Sequence, residues 1–199
     1  MTTFSPSYDN KIKRKYSVKT LEQKVQNKLA FQEEAGWPGE KKVPMLCIPT
    51  GMTNDLGGDL LKKVLPGIAS LDMELLILGK GSEEYGKLFT GMAAEKKHRI
   101  HIVKEVDDER RKMYAAADMA LFLTDPSNAS ELDHCLNYGV VPIAPACKEL
   151  DNYSAVQESG NSFLFDQPNE WSVFAALVRA VETHQFPYDW RTIQRHCME

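Results

Sequence analysis

The chain is 199 residues long, 43% hydrophobic and 26% charged, with a formal net charge of -4. That length suits one domain with an appended arm and enough apolar matter for a real core. The acidic balance argues against nucleic acid as a partner, and no run reaches the roughly 18 apolar residues of a membrane span, so neither nucleic acid nor a membrane is expected.

Residues 1–18 are polar, with a basic run at 11–15, and read as an arm or interdomain linker ahead of one domain at 19–199. They hold no apolar segment of signal-peptide type, so a cytoplasmic protein is expected. Residues 20–35 predict an amphipathic helix with Leu21, Val25, Leu29 and Phe31 on one face. A strand at 43–48 follows, then a loop of small and turn residues at 49–58. A helix over 59–65 is closed by Pro66 and Gly67. Residues 73–78 are the second strand, and Gly79-Lys-Gly-Ser82 leads into a helix at 83–95. A short strand at 100–103 precedes a helix at 107–117, whose acids come first and bases later, as the helix dipole favours.

The most informative stretch is 115–145. The apolar run at 119–124 has the length and composition of a strand buried on both faces. Residues 125–129 are turn chemistry. Ser130, with Asp133 three residues on, resembles a capping box that opens a helix ending near Gly139. Residues 140–145 form the next buried strand, and 160–165 a sixth. A helix over 171–184 is expected to turn Trp171, Phe174, Ala175, Val178 and Val181 inward. A last helical piece carries Trp190, Ile193 and Cys197. Strands alternating with helices predict an α/β fold: a three-layer, doubly wound, parallel, Rossmann-like sheet with an N-terminal arm and helix.

In such a sheet ligands lie beyond the carboxyl ends of the strands, which directs attention to two loops. Gly79 and Gly81 precede a helix and suit either an anion cradle or a tight strand-to-helix turn; the spacing is neither G-x-G-x-x-G nor a P-loop. Asp125, Ser130 and Glu131 suit a phosphate and ribose hydroxyls at a helix start, or serve as turn residue, N-cap and first-turn acid. The four cysteines are widely spaced, and Cys47 and Cys135 read as small core residues. His98, His101 and His134 lack metal-ligand spacing, so neither a metal nor a cofactor is expected.

The order of these signals resembles the C-terminal nucleotide-binding half of bacterial glycogen synthases and plant starch synthases, retaining glycosyltransferases of the GT-B fold. The resemblance is carried by Lys24 with Asn27 and Lys28, Asp59-Leu-Leu61, Leu76-Ile-Leu-Gly79 with Gly81, and Met113-Tyr-Ala-Ala-Ala-Asp-Met119. It continues through Asn137-Tyr-Gly-Val-Val-Pro-Ile143, Ser162-Phe-Leu-Phe-Asp166 and Trp190. It implies binding of ADP, UDP or a nucleotide sugar such as ADP-glucose or UDP-glucose. It also implies an α-glucan acceptor and an N-terminal GT-B half, which this chain lacks. The family's transfer relies on an Arg and a Lys after the first strand; here Gly51 and Leu56 stand in those places. The family's Glu-Pro after the fourth strand pairs with Asp125-Pro126 when one residue is inserted, making Asp125 the candidate catalytic carboxylate. Cys147-Lys-Glu-Leu150 replaces a glycine pair after the fifth strand. Three readings follow: a glycogen-synthase-like domain with degraded catalytic residues, a non-catalytic scaffold or regulatory module, and a transferase rewired through Lys80, Lys148 or a cation from an absent domain.

Overall fold

The computed structural model describes residues 4–199. Six parallel strands form one sheet: β1 (Met45–Ile48), β2 (Glu74–Leu78), β3 (Ile100–Val103), β4 (Met119–Leu121), β5 (Val141–Pro145) and β6 (Phe163–Phe165). Their order is β3-β2-β1-β4-β5-β6, and Leu46 of β1 pairs with both Leu75 and Met119. Every residue of β1, β2 and β4 is buried, because helices cover both faces of a parallel sheet.

Alternation along the strands divides the core into two. Leu46, Ile48, Leu75 and Ile77 face α2 (Gly58–Ser70), α3 (Glu83–Glu95), α6 (Glu170–His184) and α7 (Pro187–Met198). Met45, Cys47, Leu76 and Leu78 face α1 (Lys24–Glu34), α4 (Asp107–Ala116) and α5 (Ser130–Asn137). A 3-10 segment, Val18–Gln23, leads into α1.

Residues 4–17, expected as an arm, are held against the second face. Ile12 and Tyr16 are buried in its core. The Asp9 carboxylate meets the Arg111 guanidinium at 3.2 Å and accepts from the Tyr138 hydroxyl. Asn27 of α1 exchanges two 2.8 Å bonds with the Arg14 backbone. The segment looks like a linker because its anchors are polar, and their partners lie far along the chain.

The structure corrects four expectations. Helix α2 continues through Pro66 to Ser70, since Ile68 in that last turn is buried and Gly67 lies against the Phe174 ring; this packing outweighs the proline penalty of about 3 kcal/mol. Helix α1 turns inward Lys24, Asn27, Lys28, Phe31 and Gln32, leaving Val25 and Leu29 half-buried. Helix α6 buries Val173, Ala176, Leu177 and Ala180, while Trp171 is 77% exposed and Ala175 also faces solvent. Ser130 is not an N-cap: the Ala129 amide closes a turn onto the Pro126 carbonyl at 2.8 Å, so α5 is capped by Ala129, with no capping side chain among the described residues.

Candidate functional site

The strand order reverses between β1 and β4, and this switch point opens a crevice at their carboxyl ends. Two loops flank it, at residues 49–57 and 122–129. Neither contains a lysine or arginine, and each contains an aspartate, Asp55 and Asp125.

The loop after β1 is zipped to the turn after β2. The Met52 amide donates to the Lys80 carbonyl at 3.0 Å, the Ser82 amide returns to the Met52 carbonyl at 3.1 Å, and Met52 is buried. This approach explains two glycines. Gly51 has φ +69°, and a Cβ there would stand 2.2 Å from the Lys80 carbonyl oxygen. Gly81 has φ +127°, and its Cβ would stand 2.0 Å from the Met52 carbonyl oxygen. Both are conformations and contacts that only glycine meets without strain. The Gly79 amide is also engaged, donating to the Val103 carbonyl at 2.7 Å, and the Lys80 amide donates to the Leu78 carbonyl at 2.7 Å. Lys80 itself pairs with Glu105 at 3.5 Å on the surface.

Beyond β4, Phe122 and Leu123 are buried and the chain emerges at Asp125. The Asp125 carboxylate accepts from the Ser127 amide at 2.9 Å, which holds its pKa below the usual carboxylate range. Ser130 is exposed, with its hydroxyl 3.4 Å from the Glu131 carboxylate. Glu131 also lies 3.4 Å from the Arg110 guanidinium of α4, both side chains being largely buried. His134, one turn on, stacks on Phe4 with ring centroids 3.9 Å apart, and burial followed by the Arg110 charge pushes its pKa down. Asp125, Ser130 and Glu131 thus share the β4 side of the crevice. Gly79 and Gly81 stand on the β2 side, one strand removed.

Sequence reasoning missed Met52 and Arg110, whose roles come from partners distant in the chain. It also missed the amino edge of the sheet. There the Lys28 ammonium donates to the Asp118 carboxylate at 2.6 Å and to the carbonyls of Lys41 and Val43. Asp118 also accepts from the Met45 amide at 2.9 Å and lies 3.3 Å from His184 Nε2. Burial alone would raise the Asp118 pKa, but the Lys28 and His184 charges override it and hold the carboxyl well below the usual range. Lys24 donates to the Tyr114 and Ala115 carbonyls at 2.8 and 3.0 Å, closing the last turn of α4, and burial pushes its pKa down to about 8. The only hint was polar residues at positions 24, 27, 28 and 32, a helical spacing that normally marks an apolar stripe.

The fold defines the class: a Rossmann-like sheet of the kind found in GT-B glycosyltransferases. The catalytic domain of starch synthase IV from Arabidopsis thaliana, bound to ADP and acarbose, superposes with a TM-score of 0.82 at 20% identity, over 98% of this chain and 43% of that one. The sequence is more particular. It is 29% identical over 204 residues to the glycogen synthase of Bacillus cytotoxicus and 30% identical over 203 residues to that of Clostridium perfringens. These alignments cover 99% and 98% of this chain but 42% of each relative, an extent consistent with their C-terminal half. No family model matches the chain. Among the described residues, no helix is long and apolar enough to cross a membrane, and no group of three or more His, Cys, Asp or Glu side chains could hold a metal ion.

Proposed function

We propose that this glycosyltransferase-type domain accepts the diphosphate of ADP, UDP or their sugar adducts at the β1–β4 crevice, and that alone it does not transfer the sugar. Gly79, Gly81, Ser130 and Glu131 flank the diphosphate and ribose in this reading, and Asp125 is the carboxylate nearest the sugar. An α-glucan acceptor and a complementary GT-B half belong to the same reading. It rests on the strand switch, on the likeness to glycogen synthases, and on the ADP carried by the similar starch synthase structure.

One observation carries the second half of the proposal: the crevice loops contain no cation. Negative charge grows on a departing diphosphate, and each preorganised stabilising group is worth about 100- to 1000-fold in rate. Calorimetric titration with ADP, UDP and their glucose adducts tests the binding. Weak saturable heat with little salt dependence is expected, because no full positive charge is engaged; silence at millimolar nucleotide overturns it. Incubation with labelled nucleotide sugar and glycogen is expected to give no incorporation, and incorporation overturns the inactivity.

A second reading, a scaffold that binds no nucleotide, is favoured by a specific observation. The amides of Gly79, Lys80 and Ser82 already donate to protein carbonyls, and Glu131 is engaged by Arg110. Recovery of a protein partner together with silent calorimetry selects it.

A further inference from the structure

The two outermost strands of the sheet are finished differently. On one side, β6 turns Leu164 outward, and side chains fill both of its main-chain groups. Its amide donates to the Asn152 carboxamide oxygen at 2.9 Å, and its carbonyl accepts from the Arg179 guanidinium at 2.7 Å. On the other side stands β3. The Leu75 amide and the Gly79 amide just beyond β2 donate to the Arg99 and Val103 carbonyls at 2.7 Å, so the odd-numbered residues of this strand bond to β2. The alternation of the backbone then turns the main-chain groups of Ile100, Ile102 and Lys104 outward. No side chain among the described residues bonds to the outward groups of Ile100 or Ile102. Open edges are normally blunted by lysine, proline or an inward charge. The strand itself, Ile-His-Ile-Val, has no lysine, acid or proline.

The charge stands at its two ends. Lys96, Lys97 and Arg99 precede it. Lys104 is followed by Glu105, Asp107 and Asp108, with Val106 53% exposed among them. Within the chain these groups make surface pairs, Arg99 with Glu40 and Asp72, Glu105 with Lys80, and Asp108 with Lys11. Lys97 has no ion pair among the described residues, and Asp107, 70% exposed, lies 3.9 Å from Arg110. A strand that begins basic and finishes acidic is complementary to its own copy run the other way. A two-fold axis at Ile102, the middle of the outward-facing set, puts that residue against the partner's Ile102 and Ile100 against the partner's Lys104. The same register brings Arg99 toward the partner's Glu105 and Lys97 toward the partner's Asp107.

We propose that β3 is the contact surface for a second copy of this chain, the two sheets joining edge to edge in antiparallel fashion. The two-fold closes the pair, and the filled edge at β6 offers no strand for further growth. The contact is short, which places it among weak pairs, with a Kd of about 10–100 µM. It stands whether or not the crevice binds nucleotide.

Sedimentation velocity of the whole chain, from about 5 to about 500 µM, is expected to pass from one-chain to two-chain mass. At about 1 M salt, where screening acts within about 3 Å, the pair is expected to weaken severalfold. Ile102→Pro leaves the bonds to β2 in place and removes the donor at the axis, so a monomer is expected throughout. Lys97→Glu is expected to weaken pairing about tenfold, and adding Asp107→Lys to restore it. In the wild-type chain, exchange of the Ile102 amide hydrogen is expected to slow as concentration rises. A monomer at every concentration, species larger than two chains, a pair that Ile102→Pro leaves intact, or an Ile102 exchange rate indifferent to concentration overturns the proposal. The wild-type measurements decide even if a variant does not fold.

Discussion

A Cβ placed on Gly81 would collide with the Met52 carbonyl, a backbone atom that cannot swing aside. Gly81→Ala is therefore expected to cost about 2 kcal/mol or more in a urea titration, whatever the crevice binds. Leu56 is a different case, since it sits half-buried at the loop end without such a clash. Leu56→Lys is expected to tighten ADP binding severalfold and to bring in a salt dependence absent from the parent, measured by calorimetry at two ionic strengths. At the other edge, Lys28→Met takes from buried Asp118 the ammonium that donates to it, and a loss of about 3–5 kcal/mol is expected. The depressed Asp118 pKa sets the sign of the acid response. Its folded value lies below the unfolded value of about 3.9, so its stabilisation is present above that pH and drains away as the pH falls through the folded value. Asp118→Asn is expected to flatten that acid limb.

Elements whose information is local were legible. Helix α3 and strand β3 lie where hydrophobic periodicity and flanking turn residues put them, because nothing distant competes there. Helices α1 and α6 were misread at the level of their faces. In α1 the buried stripe is polar, and its hydrogen-bond partners, Asp118 and Glu74, come from strand edges 90 and 42 residues away. In α6 the apolar pattern is broad enough to admit two stripes, and packing against α2 selects the one containing Val173 and Leu177. Residues 4–17 were misjudged for the same reason as α1, since Asp9 makes sense only beside Arg111 and Tyr138. Deleting residues 1–17 removes the buried Ile12 and Tyr16 and strips Arg111 of its carboxylate. A fall in Tm of about 10 °C or more is expected in a thermal melt, from several kcal/mol of lost burial.

At the scale of the whole molecule the sheet has two chemically distinct ends. Fold class and strand alternation were readable in the sequence because a doubly wound sheet repeats one local unit. The strand order locates the crevice, and the positions of Asp125, Ser130 and Glu131 beside it follow from that order alone. What each side chain touches did not follow: Met52 with Lys80, and Arg110 with Glu131, are joined only by tertiary packing. Global stability should also carry the mark of Glu74, which burial pushes up to about 7 although Gln32 donates to both its oxygens. A carboxyl whose folded pKa is raised costs nothing at low pH; the cost appears as the pH climbs from the unfolded value to the folded one and then stays constant. Glu74→Gln is thus expected to stabilise the protein at pH 8 relative to pH 5 by about 2 kcal/mol, read from denaturant midpoints. Gly51 bears on engineering. With a left-handed backbone pressed under the Lys80 carbonyl, it has turned the absence of a side chain into a condition of the local packing. An arginine cannot be placed there by a single substitution, and a designer wishing to bring a cation into this cleft must transplant a whole loop together with the turn it leans on.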